Sequence, residues 1–140
     1  MATQYKLHSE QQGTVIFDGK VLGRATSQQP DHNHDAPFVA PGFDENGRKN
    51  KCPACRWLEV TVYATTPRGY VLHTIGKTVV PGEIEFARIS RTASAFELVD
   101  IATVRSGNKP YLPAPSSRAL AQASDKDDDV RDAYVNRAVI

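Results

Sequence analysis

Apolar and polar residues alternate most clearly in the middle of the chain. Leu58, Val60, Val62 and Ala64 are interleaved with Glu59, Thr61, Tyr63 and Thr65, the period of two expected of a half-buried strand. Pro67-Arg68-Gly69 turns the chain, and Tyr70-Val71-Leu72-His73-Thr74-Ile75 runs back until Gly76 interrupts it. Val79-Val80 extends this sheet before Pro81-Gly82, and the alternation over 83–89 predicts a further strand. Upstream, Thr14-Val15-Ile16-Phe17 and Lys20-Val21-Leu22 flank Asp18-Gly19, a pair suited to a two-residue hairpin turn because both central positions need positive φ.

The spacing changes to helical toward the C-terminus. Ser94 and Glu97 form a capping box at the start of a helix whose Phe96, Leu98, Val99 and Ala102 face the sheet. Pro110, Pro113 and Pro115 keep the next connection extended, and Ser116 or Ser117 caps a short helix over 119–123. Asp127, Asp128 and Asp129 suit the first turn of a last helix, where carboxylates favour the dipole, with Val130, Ala133, Tyr134 and Arg137-Ala138 as its stripe. Strands before helices predict an α+β fold: an antiparallel sheet of two or more hairpins with C-terminal helices on one face. A length of 140 residues suits a single domain over 1–140, with the helices in 94–139.

Between these elements, 25–56 is a polar stretch with repeated Pro and Gly, too long to stay folded unless it is tied down. It holds His32-Asn33-His34 and Cys52-Pro53-Ala54-Cys55, which read H-x-H-x17-C-x2-C. Two thiolates in a Cys-x2-Cys turn and two imidazoles supply the four ligands of a closed structural zinc site. His32, His34, Cys52 and Cys55 are therefore the expected zinc ligands of a zinc-knuckle loop, with Asp31, Asp35 or the Cys pair of a partner chain as substitutes for one or both imidazoles. A dithiol redox motif is the alternative use of the cysteines, but it precedes a helix, whereas 57–65 alternates as a strand. A two-His two-Cys set leaves no open position for a reacting water, so a structural ion is expected over a catalytic one.

Charge adds little direction. Lys and Arg number 17 against 16 Asp and Glu, for a net charge of +1, so nothing global draws the chain to nucleic acid or an anionic membrane. Locally, Arg48, Lys49, Lys51 and Arg56 lie beside Trp57, a basic and aromatic surface that suits a partner or single-stranded nucleic acid. No apolar run reaches the ~18 residues of a membrane helix, and the first residues lack the apolar stretch of a secretory signal. Two closely spaced cysteines suit a reducing cytoplasm, of a bacterium or an infected cell, or a virion assembled there. His73 shares a strand face with Val71 and Ile75 and is expected to be half-buried and bonded to a neighbour.

Three segments, 51–59, 70–76 with 80–83, and 131–138, resemble small uncharacterised proteins of actinobacteria and their phages. The resemblance implies an accessory protein of a mobile element that acts by binding a host component. The expected function is a zinc-stabilised binding or regulatory module with a protein partner. The alternatives are a metal-dependent hydrolase or nuclease using the His pair with Asp35, and a virion or assembly protein.

Overall fold

A computed structural model describes residues 3–28, 56–78, 82–106 and 109–136. Along the chain these form β1 (Thr3–Ser9), β2 (Gly13–Thr26), β3 (Arg56–Thr65), β4 (Tyr70–Thr78), β5 (Phe86–Thr92), α1 (Ala95–Ala102), β6 (Val104–Ser106), β7 (Lys109–Tyr111), α2 (Ala114–Ser124) and α3 (Asp128–Asn136). The first five strands make one antiparallel meander in the order β1-β2-β3-β4-β5, and β6 and β7 form a separate hairpin. The architecture is α+β with the helices C-terminal, as the patterning predicts.

The N-terminal hairpin differs from the expectation. Asp18 and Gly19 are not a turn but lie inside the continuous strand β2, opposite β1 on one side and β3 on the other. Gly19 serves close approach instead: a β-carbon there would lie 2.0 Å from the carbonyl oxygen of Ala64. The turn comes earlier, at Glu10-Gln11-Gln12, and Gly13 leaves it with φ of +83°. Gly76 likewise does not end β4, because the strand continues to Thr78 with the ring of Phe86 covering the glycine.

The sheet is buried on both faces. On one face Leu22, Val60, Val62 and Leu72 meet Leu98 and Val99 of α1, Ala119, Leu120 and Ala123 of α2, and Val130 and Ala133 of α3. Gly23 lets α2 come close, since a β-carbon there would lie 2.1 Å from the Ala119 carbonyl oxygen. On the other face the sheet curls on itself around Phe17, Tyr63, Val71 and Ile89, with Tyr5, Leu7, Val15 and Val21 at the margin. Tyr5, Phe17 and Tyr63 form a ring trio with centroids 4.8–5.6 Å apart, Tyr5 stacked on Phe17 and tilted to Tyr63, and Phe17 edge-on to Tyr63. Alternation in β3 therefore does not separate core from solvent, and Thr61 and Tyr63 are buried as firmly as Val60 and Val62.

The curl is held at the β1–β2 turn. Gln12 Nε2 donates to the Ile89 carbonyl at 2.9 Å while the Ile89 N–H donates to Gln12 Oε1 at 2.8 Å. One side-chain amide thus does for the open edge of β5 what a neighbouring peptide group would do. Ser9 Oγ adds a bond of 2.6 Å to the Ala87 carbonyl.

The helix caps show local chemistry at work. Ser94 Oγ accepts from the Glu97 N–H at 3.2 Å, and Glu97 reaches back to the Ala93 N–H at 3.1 Å, one residue before the expected donor. Ala95 rather than Phe96 completes the buried stripe of α1, and Phe96 is 71% exposed. Neither Ser116 nor Ser117 caps α2, which starts at Pro113 without a side-chain cap; Ser117 instead bonds the Tyr134 hydroxyl at 2.6 Å. Asp127 accepts from the Val130 N–H at 3.1 Å at the start of α3, and from the Tyr70 hydroxyl. Burial beside that carboxylate pushes the Tyr70 phenol well above its ordinary range.

Candidate functional site

The aromatic trio fills one end of the concave face. The other end opens as a cleft of about 590 Å³ lined by Leu7, Arg24, Thr26, Glu59, Thr61, Tyr63, His73 and Ile75. Strand register explains how polar groups gather there. Thr61 stands opposite Arg24 on β2 and His73 on β4, Glu59 stands opposite Thr26 and Ile75, and partners across a ladder share a face. Arg24 would point the other way in a regular strand. The register of β2 shifts between Val21 and Gly23, so Leu22 is an extra residue that turns both Leu22 and Gly23 toward the helices and aims Arg24 into the curl. The bulge is pinned from the helical side, where the Arg24 N–H donates to Gln122 Oε1 at 3.0 Å.

Each charged group of the cleft is held by a neutral neighbour. Arg24 Nε donates to Thr61 Oγ1 at 3.3 Å, and Glu59 accepts from Trp57 Nε1 at 3.1 Å. The two opposite charges are diagonal neighbours on adjacent strands, yet they form no ion pair with each other. His73 lies between them in effect: burial lowers its pKa, Arg24 lowers it further, and Glu59 partly opposes both. The imidazole is therefore held neutral. Among the described residues it has no hydrogen-bond partner, contrary to the expectation, and its Nε2 is sealed from solvent. Burial also raises the Tyr63 phenol pKa, against the pull of Arg24.

The sequence-predicted site residues fall differently. His32, His34, Cys52 and Cys55 lie outside the described residues, as do Arg48, Lys49 and Lys51. Among the described residues no group of three or more His, Cys, Asp or Glu is placed to hold a metal ion. Arg56 and Trp57 line a second cleft of about 470 Å³ with Ser27, Lys77, Glu83 and Ile84. There Arg56 Nε donates to both oxygens of Glu83 at 2.9 and 3.0 Å, and the Thr78 hydroxyl donates to the same carboxylate at 2.6 Å. These donors hold the Glu83 carboxyl below its ordinary pKa. The two ends of the 29–55 stretch meet beside both clefts: the Ser27 N–H donates to the Leu58 carbonyl at 3.0 Å, and the Leu58 N–H donates to Ser27 Oγ at 2.9 Å.

Of the cleft residues, only His73 carried a sequence signal, a lone imidazole between apolar residues on a strand face. Glu59 and Thr61 read as the polar positions of a half-buried strand, and Arg24 carried no signal. Comparison with known proteins finds no matching family model, no matching curated protein and no matching solved structure. No helix among the described residues is long and apolar enough to cross a membrane.

Proposed function

We propose that the chain is a binding module whose recognition site is the open end of the curled sheet. The observation that carries this is the convergence of Arg24, Glu59, Thr61 and a His73 imidazole without a partner among the described residues, beside the apolar wall of Leu7, Ile75 and the Tyr63 ring. A few fixed polar groups in an apolar hollow are the usual make-up of a small-molecule site. The arrangement suits binding better than catalysis. A histidine acting as a general base is oriented by a hydrogen-bonded third group, and here the imidazole has none among the described residues while Glu59 is engaged by Trp57.

Zinc on His32, His34, Cys52 and Cys55 belongs to the same proposal. It would fix the 29–55 stretch, which follows the strand that carries Arg24 and precedes the strand that carries Glu59. A role as an accessory protein of a mobile element is compatible with such a module.

The test is a thermal-shift panel of organic acids, amines, zwitterions, nucleotides and sugars at millimolar concentration, run on the wild type, Arg24→Gln and His73→Leu. A class of compound that stabilises the wild type and loses its effect in both variants supports the proposal. No shift from any class, or a shift that both variants retain, refutes it.

A further inference from the structure

We propose that the cleft takes a small zwitterion, an α-amino acid with an apolar side chain, its carboxylate on Arg24 and its ammonium on Glu59; this assignment rests on the cleft being the binding site. The starting point is the arrangement of charge. Arg24 and Glu59 face one hollow from diagonal positions on β2 and β3, a spacing of roughly 7–8 Å between such positions in a sheet. Side chains of that length can close the gap, but each is held back by its own neutral partner, Thr61 for Arg24 and Trp57 for Glu59. Among the described residues the hollow thus presents one positive and one negative group, separated and carrying no net charge between them.

A simple anion would meet Arg24 but bring its charge near Glu59, and a simple cation would do the reverse. A molecule with both charges on neighbouring carbons satisfies both groups at once. Guanidinium and carboxylate also match in geometry, since the N–H fork of one donates to the two oxygens of the other. The rest of the lining points to the ligand's third part. Leu7, Ile75 and the ring of Tyr63 make an apolar wall, which suits an aliphatic or aromatic side chain and not a polar one. The neutral imidazole adds a hydrogen bond to the carboxylate.

The experiment is calorimetric titration of the intact chain with four probes: L-leucine, N-acetyl-L-leucine, L-leucinamide and 4-methylpentanoic acid. Binding of leucine is expected, with affinity at least tenfold weaker for each of the other three, which lack the ammonium, the carboxylate or the ammonium again. Glu59→Gln should weaken leucine by a similar factor and bring the simple acid level with it. Equal binding of leucine and 4-methylpentanoic acid overturns the zwitterion and leaves an organic-acid site. Failure of all four probes while another class in the thermal panel shifts the melting point overturns the zwitterion and leaves the binding site. Failure of every compound in both experiments overturns the two together.

Discussion

Replacing Gln12 by Ala removes the amide that closes the curl. Two hydrogen bonds go, and the N–H and carbonyl of Ile89, a residue only 4% exposed, lose their partners. A net contribution of about 1 kcal/mol per bond gives a loss of roughly 2 kcal/mol. Water reaches the exposed side of the turn and keeps the figure from rising much further. In urea that loss moves the midpoint down by roughly 1 M with little change in slope, for the m-values usual in a chain of this size. Hydrogen exchange supplies the second readout, because the Ile89 amide should lose protection by more than the global destabilisation explains. Gln12→Glu sharpens the comparison. Its carboxylate still accepts from the Ile89 N–H but sets a negative oxygen against the Ile89 carbonyl, so at neutral pH it should be no better than Ala. Protonation of that carboxyl in mild acid restores a donor, and its deficit should shrink relative to Gln12→Ala. A Gln12→Ala protein within about 0.3 kcal/mol of the wild type, with Ile89 protection unchanged, would show that the curl is held by its aromatic filling alone.

Gly23→Ala places a methyl against the backbone of α2, which cannot swing aside as a side chain can, and should cost about 1–3 kcal/mol by denaturant unfolding; a cost near zero would mean that α2 does not sit as closely as described. His73 is neutral in the fold while the unfolded chain protonates near its ordinary pKa, so its contribution is fully present above about pH 6.5 and is lost as pH falls toward the depressed folded value. The stability difference between wild type and His73→Leu should therefore move against the wild type below pH 6.5, by at most about 1.4 kcal/mol per pH unit, and a difference flat in pH would contradict the buried neutral imidazole. Zinc removal by a chelator, or Cys52→Ser with Cys55→Ser, should lower the melting temperature by about 5 °C or more, whereas a metal-free protein that melts unchanged would refute the zinc clip.

Much of the fold was legible because its determinants are local. The strand over 58–65, the turn at Pro67-Arg68-Gly69 and the Ser94 cap each act over a few residues and appear where the pattern places them, though both faces of the strand are buried and Glu97 meets Ala93 rather than Ser94. Asp127 at the start of α3 is of the same kind. What escaped depends on partners remote in sequence. Asp18-Gly19 has turn composition, but Gly19 is needed for the approach of Ala64, and a β-strand neighbour overrides the local preference. Phe96 looked like a core residue by size, and only the rotation of α1 on the sheet decides in favour of Ala95. The cleft was the least legible part. Thr61 and Tyr63 read as solvent-facing until the curl encloses them, and Arg24 reaches the cleft only because Leu22 bulges out of register. A bulge leaves no composition signature, so neither the arginine nor its diagonal relation to Glu59 could be read from spacing.

The Ser27–Leu58 bonds have a consequence for how the chain is wired. Because the 29–55 stretch leaves from one strand and returns to its neighbour, the sheet is a plain meander with a long piece of sequence spliced into one of its bends. Nothing in the order of the strands depends on what that bend contains. Shortening it about sevenfold to a tight turn should relieve roughly 1.7 kcal/mol of closure entropy and leave the two cores and the charges of the cleft in place. The chain would then behave as two separable inheritances, a strand order that fixes the sheet and a spliced segment free to change its length without altering that order.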